Sequence, residues 1–281
     1  MNTQDISITK ASGEKEPWDR RKLAGSLRAA KTEEPLIEEI VGHIEKDLHD
    51  GMRTSDIYQH AFDLLKRYSP PIAAQYSLKK AILQLGPSGF PFERFIAEIL
   101  KAEGYRAEVG VMVRGACVEH EVDVIAEKEG ERMLVEAKYH NSPQTKSDVK
   151  VALYVHARFE DIHNNLEKSA AGIGVFTRAW LITNTSFTSQ AIQYASCAGL
   201  ALTGWNYPKG HTLQDLIMRT QTHPITCLTT LTDTHKNTLL ESGIVLCRDI
   251  VNNPKPLEVM GLNKARIDSV ISEGIMLCPA T

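Results

Sequence analysis

The chain has 281 residues, 42% of them hydrophobic and 24% charged, with 18 Gly and 12 Pro, which excludes collagen-like, disordered and small disulfide-stapled classes. At roughly 100–200 residues per domain, two or three domains are expected. The 32 Lys and Arg against 35 Asp and Glu give a formal charge of −3, so a protein that coats nucleic acid with its whole surface is excluded and any DNA contact is local or metal-assisted.

The first residues lack the apolar core of a secretory signal, and no run of about 18 apolar residues occurs, which points to a cytoplasmic protein without a membrane partner. The five cysteines are scattered without a CxxC pair, so neither a disulfide framework nor a structural zinc site is encoded.

Taken in order, the elements begin with a short strand at Ile6 and Ile8, a turn at Ser12-Gly13-Glu14, and a helix capped by Asp19 and carrying Leu23, Leu27 and Ala30. Pro35 opens a second helix with Ile37, Ile40, Val41 and Ile44 at helical spacing. Thr54 begins a third through Ile57, Ala61 and Leu64, and a fourth follows Pro70-Pro71. Gly86-Pro87-Ser88-Gly89 interrupts periodic segments on both sides and is read as the linker that closes a first domain, 1–88.

After it come a helix at 91–103, strands at 105–113, 119–126 and 132–139, a long helix from 147, a strand at 179–183, a helix at 186–198 and a strand at 199–204. This alternation predicts an α/β domain with a mixed central sheet over 89–207. Residues 208–281 read as an all-helical unit with helical pairs at 234–251 and 257–272, connected through Gly243 and Gly261. The expected fold class is therefore multidomain α/β, with a mostly helical N-terminal part behind a β-hairpin.

The stretch most informative for chemistry is Glu119-His120-Glu121-Val122-Asp123, a turn, and Glu136-Ala137-Lys138. A hairpin would set Asp123 near Glu136, two carboxylates that repel unless a divalent cation lies between them, with an ammonium alongside. Mg²⁺ or Mn²⁺ on such oxygen ligands polarises a phosphodiester, and a lysine positions the attacking water. The competing reading is an exposed hairpin whose Glu and Lys residues are merely solvated.

These residues resemble the PD-(D/E)xK nuclease signature, and their surroundings resemble the Mrr-type restriction endonuclease domain. Gly89-Phe90-Pro91-Phe92-Glu93 matches its opening helix, Gly104-Tyr105 its Gly-Tyr turn, and Thr183-Asn184-Thr185-Ser186-Phe187 with Ala191 a later segment. The resemblance implies a restriction-endonuclease-like fold in which Asp123, Glu136 and the Ala137 carbonyl bind the metal. It further implies that Lys138 serves the water and that Glu93 completes or supports the catalytic site. The chain departs from the pattern at Glu121, where the family often has glycine.

The N-terminal residues Ile8-Thr9-Lys10-Ala11-Ser12-Gly13-Glu14, Trp18 and Lys22-Leu23 are similar to the ATP-cone domain, as are Arg53-Thr54-Ser55-Asp56-Ile57 further on. That likeness implies ATP or dATP as an allosteric ligand, with Lys10 and Lys22 neutralising phosphate charge and Thr54 donating from a helix start. Ala11 replaces the usual arginine. No GxxxxGK[ST] loop occurs, so a bound nucleotide would be a ligand and not a fuel.

In the C-terminal part, Leu239 to Val245 and Leu257 to Arg266 resemble a helix-hairpin-helix unit with Asn263 in place of its second glycine, which leaves a DNA clamp and a packing or dimerisation unit both open. The function expected is Mg²⁺-dependent DNA endonuclease activity regulated by ATP or dATP, in restriction or defence, by a homo-oligomer. The alternative is a nucleotide-responsive DNA-binding or oligomerisation protein with an inactive nuclease fold.

Overall fold

A computed structural model describes residues 6–10, 13–167 and 175–278. Ser12, the first residue of the expected turn, and Ala11, the departure from the ATP-cone pattern, lie outside them. The chain divides into two compact units, Met1–Lys79 with Cys227–Thr230, and Lys80–Thr226 with Leu231–Thr281.

The first unit opens with β1 (Ser7–Thr9) and β2 (Lys15–Pro17), paired antiparallel with Ile8 opposite Glu16. Then come α1 (Arg20–Ala29), α2 (Glu34–Asp47), α3 (Thr54–Tyr68) and α4 (Pro70–Leu83), whose residues up to 79 belong here. The Asp19 carboxylate accepts from the Arg21 N–H and satisfies one of the open donors at the start of α1. Leu27, Ile37, Ile40, Val41, Ile44, Ala61 and Leu65, spaced by three and four residues, form its fully buried core. β1 is fastened to the start of α3, since Thr9 N–H donates to the Met52 carbonyl at 2.9 Å and Thr9 bridges Arg53.

The second unit is built on a five-stranded sheet of order β3-β4-β5-β7-β9, made of β3 (Arg106–Arg114), β4 (Glu119–Lys128), β5 (Glu131–Lys138), β7 (Arg178–Thr183) and β9 (Ala201–Thr203). β3, β4 and β5 run antiparallel as hairpins, whereas β5, β7 and β9 are parallel, joined through α6 (Val149–Glu167) and α7 (Ser189–Ala198). The mixed sheet expected from the alternation of elements is present.

In front of the sheet lies α5 (Phe90–Ala102), which buries Phe92, Phe95, Ile96, Ile99 and Leu100 on one stripe against β3 and β4. α6 inserts Ile162 and the half-buried Phe159 against Val122, Ile125 and Leu134.

One feature differs from the sequence expectation. Ser186 and Phe187 form β8 (Ser186–Phe187), paired parallel with β6 (Lys146–Ser147), so α7 starts later, at Ser189, with Thr188 as its side-chain cap. Tyr207, just past the last sheet strand, meets Phe187 edge-on at 6.3 Å and packs on the core of β7, α6 and α7.

The remaining helices of this unit are α8 (Leu213–Thr220), α9 (Asp233–Glu241), α10 (Cys247–Asn252), α11 (Lys255–Val259) and α12 (Lys264–Leu277). They are tied to α5 and its C-cap: Arg219 grips Glu103 with two hydrogen bonds at 2.9 and 3.0 Å, and Arg248 lies 3.7 Å from Glu98. Gly243 and Gly261, both at φ near +80°, make the connections between paired helices, a backbone conformation that disfavours any Cβ. Among the described residues no helix is long and apolar enough to cross a membrane.

Candidate active site

The β4–β5 ladder ends at Val124 opposite Val135, and Asp123 and Glu136 are the next residues on the two strands. The Asp123 side chain turns onto the neighbouring strand, where its Oδ2 accepts the Ala137 N–H at 2.8 Å. Both carboxylates are largely shielded from water while Val122, Val124 and Val135 around them are fully buried. Lys138 ends β5, paired with the buried Thr183 of β7.

Glu93 comes from the first turn of α5, and its carboxylate folds back towards the helix start: a Cβ on Gly89 would lie 3.1 Å from Glu93 Oε1. The four residues expected to act together are thus drawn from α5, β4 and β5 of one unit.

The electrostatics agree with a shared site. Burial, then the charges of Asp123 and Glu121, push Glu93 up to about 7. Burial, then Asp123, pushes Glu136 up to about 7, with Arg158 and Lys138 opposing and Glu93 adding to the rise. Asp123 is also raised, chiefly by burial, against the pull of the Ala137 N–H and Arg158. Carboxylates crowded in a desolvated space repel one another, and a cation among them relieves that repulsion.

The donors fit a hard divalent ion such as Mg²⁺ or Mn²⁺, because they are oxygens only: the Asp123 and Glu136 carboxylates and the carbonyl of Ala137, the residue after Glu136. Among the described residues no group of three His, Cys, Asp or Glu side chains could hold a metal by itself, so a carbonyl and water would complete the coordination.

Two residues near this site had no part in the sequence reading of its chemistry. Arg158 of α6 donates from Nη1 to Glu136 Oε2 at 2.5 Å, with both side chains close to nine-tenths buried. Its only sequence signal is its place at the border of the buried stripe of Ala152, Val155 and Ile162. Asn184, quoted above only as part of a motif, is 1% exposed and clamps the backbone just beyond Lys138. Its Oδ1 accepts the His140 N–H and its Nδ2 donates to the His140 carbonyl, both at 2.8 Å.

The histidines near the site in sequence have structural partners: His140 Nε2 meets Ser147 Oγ, His163 Nδ1 the Phe176 carbonyl, and His156 Nδ1 the Tyr194 hydroxyl.

In the first unit, Lys10 and Lys22 converge on one carboxylate, with Glu16 Oε2 at 3.1 and 2.7 Å. Thr54 is the first residue of α3, and Lys10 and Thr54 each lie one residue beyond the Thr9–Arg53 bridge. A cavity of about 720 Å³ is lined by Glu16, Trp18, Arg20, Lys22 and Glu45, and neither Lys10 nor Thr54 lines it. In the C-terminal part, Asn263 is the N-cap of α12 and its side chain accepts the Arg266 N–H at 3.0 Å.

Comparison with known proteins bears on the second unit. Residues 86–209 match the restriction endonuclease family of Mrr catalytic type, and residues 223–278 match the AF1548-like C-terminal family. A curated protein of Archaeoglobus fulgidus, described as uncharacterized, is 37% identical over 179 residues, which is 63% of this chain and 97% of its own length. The crystal structure of AF1548, a protein of unknown function, superposes with a TM-score of 0.56 at 34% identity, covering 69% of this chain and all of that one. The MspJI restriction endonuclease in complex with a 27-mer oligonucleotide matches at 14% identity and a TM-score of 0.33 over 74% of this chain and 43% of that one, a likeness too slight to carry an argument. The chain belongs to the AF1548-like family and carries a restriction endonuclease domain of Mrr type over residues 86–209.

Proposed function

We propose that the protein is a divalent-metal-dependent DNA endonuclease whose activity responds to ATP or dATP. The observation that carries the reading is two shielded carboxylates, Asp123 and Glu136, next to the Val124–Val135 pair on adjoining strands in a domain of restriction endonuclease type, with Asp123 bonded to the Ala137 N–H and Lys138 on the same strand as Glu136. Asp123, Glu136 and the Ala137 carbonyl would hold Mg²⁺ or Mn²⁺, which supplies Lewis-acid polarisation of the scissile phosphate and a more acidic water. Lys138 orients the attacking water. Glu93 adds negative charge from α5 and supports the metal site from outside the strand pair.

The domain division at 88/89 and 207/208 is part of this reading, with a nucleotide-binding N-terminal part, a nuclease core and a helical tail. Lys10 and Lys22 would meet nucleotide phosphates by leaving Glu16, with Thr54 donating from the start of α3. Substrate DNA, a homo-oligomeric state and a role in restriction or defence belong to the same proposal.

The test is plasmid cleavage by wild type and Asp123→Ala with Mg²⁺ or Mn²⁺, with and without ATP and dATP, and with EDTA as blank. Cleavage by wild type alone supports the metal site, and a nucleotide effect ties it to the N-terminal unit. Absence of nicking of methylated and unmethylated DNA under every condition rejects the nuclease reading in favour of a binding module.

A further inference from the structure

Arg158 is a buried cation that the proposed chemistry leaves unused. Its side chain is 10% exposed and Glu136 is 12% exposed. Nη1 is engaged on Glu136 Oε2, Nη2 donates to the Tyr154 hydroxyl, and the guanidinium carbon lies 4.5 Å from the centroid of the Tyr154 ring. Nε is buried and, among the described residues, has no hydrogen-bond partner. Tyr154 is 54% exposed, so the Glu136–Arg158–Tyr154 chain leads from the carboxylate pair to the protein surface.

Stability does not account for this arrangement. A buried ion pair contributes little net stability once both charges have been desolvated, and an unsatisfied donor on one partner makes the balance worse. A guanidinium is, however, suited to an anion that presents two oxygens, and its unused donor has no acceptor until such an anion arrives.

The charges point the same way. Glu93, Glu121, Asp123 and Glu136 are set against Lys138 and Arg158 alone, so an excess of acid holds Arg158 on Glu136. A divalent ion offsets that excess and frees the guanidinium for another anion.

We propose that Arg158 is a phosphate-contacting residue of this site, held on Glu136 in the ligand-free protein and moved to a substrate phosphate oxygen in the metal-loaded one. The inference rests on the nuclease reading above. Arg158 then has two opposed effects. It competes for Glu136 before metal is bound, and it holds DNA afterwards.

The experiment compares wild type, Arg158→Ala, Arg158→Lys and Asp123→Asn. Mn²⁺ affinity is measured by calorimetry without DNA, and affinity for a labelled duplex by fluorescence anisotropy in Ca²⁺ and in EDTA, each across a salt series. Arg158→Ala is expected to bind Mn²⁺ at least threefold more tightly, because Glu136 is released. It is expected to bind duplex at least tenfold more weakly in Ca²⁺, with the log–log salt slope smaller by about one, and to bind as wild type does in EDTA.

A fall in Mn²⁺ affinity together with DNA affinity would mean that Arg158 only props Glu136, and overturns the proposal. Equal losses in Ca²⁺ and EDTA overturn it as well. If Arg158→Ala shows no cooperative melt, Arg158→Lys decides: it keeps the charge without the planar fork, and unchanged duplex binding in Ca²⁺ rejects the assignment. Mn²⁺ binding and cleavage by wild type alongside indistinguishable Arg158 variants defeats this inference alone. Failure of wild type to bind Mn²⁺ any better than Asp123→Asn defeats the nuclease reading and this inference with it.

Discussion

The Asp123 carboxylate accepts the backbone N–H of Ala137 at 2.8 Å, so one oxygen of the expected metal ligand is also the pin between β4 and β5. Asp123→Ala removes both and leaves the Ala137 N–H without its acceptor, a loss of about 1–3 kcal/mol. Asp123→Asn keeps an acceptor oxygen there. The expected outcome is that both variants lose cleavage by more than about 100-fold, while Asp123→Asn melts within a few degrees of wild type and Asp123→Ala melts clearly lower. Calorimetry and plasmid nicking on the same preparations check this.

The carboxylate cluster makes stability depend on pH in a stated direction. Glu93 and Glu136 are both pushed up to about 7 in the folded chain, whereas an unfolded chain releases those protons near 4.5. Their protonated forms favour folding, so this stability is complete below about pH 4.5 and is lost as pH rises towards 7 and beyond. In EDTA the melting temperature should fall between pH 5 and pH 8, and Mg²⁺ should raise it more at pH 8 than at pH 6, because protons no longer compete for the ligands. A Mg²⁺ effect independent of pH would contradict the assignment of these carboxylates to the metal.

Asn184 holds the segment after Lys138 through two hydrogen bonds to the His140 backbone. Replacing it with alanine strips both from a residue that is 1% exposed, and about 2–3 kcal/mol of stability should go with them. Because small displacements of a reacting group cost large factors in rate, cleavage is expected to drop about 10- to 100-fold with Mn²⁺ affinity little changed. Single-turnover rates beside calorimetric titrations separate the two effects.

The β3–β4 turn is pinned from α6 by Asp161, whose carboxylate accepts the Cys117 N–H at 2.8 Å and the Val118 N–H at 3.3 Å and meets His120 Nε2 at 2.8 Å. The bond to His120, with the two backbone donors, holds the Asp161 carboxyl well below its ordinary value, so this stability is present at neutral pH and lost only as pH falls below about 4. Gly115 is needed there, since a Cβ would come within 2.1 Å of Asp161 Oδ2 and 2.8 Å of the Val118 carbonyl. Asp161→Ala should speed hydrogen exchange at residues 115–118, and Gly115→Ala should destabilise by about 1–3 kcal/mol, both measurable at pH 7.

In the N-terminal unit, Glu16 sits between Lys10 and Lys22. If those lysines take nucleotide phosphates, Lys22→Ala should weaken ATP or dATP binding at least tenfold, whereas Glu16→Gln, which removes the competing acid, should tighten it. Titration of the full chain by calorimetry checks both signs, and tightening by neither nucleotide rejects a phosphate role for the pair.

Much of this protein was decided locally and is legible in the residues. Helical spacing of Ile37, Ile40, Val41 and Ile44, the Asp19 cap and Gly243 and Gly261 at helix connections act within a few residues, so the elements and their order follow from the chain alone. The nearness of Asp123 to Glu136 was legible for the same reason, because a hairpin brings neighbouring strands side by side. Its partners from afar were not. Arg158 reaches Glu136 across 22 residues of sequence and Asn184 reaches His140 across 44, through the packing of α6 and the parallel pairing of β5 with β7. No local spacing encodes those distances: a crossover connection leaves register to side-chain packing, and only the folded sheet brings these groups to the carboxylate pair and the strand end beside it.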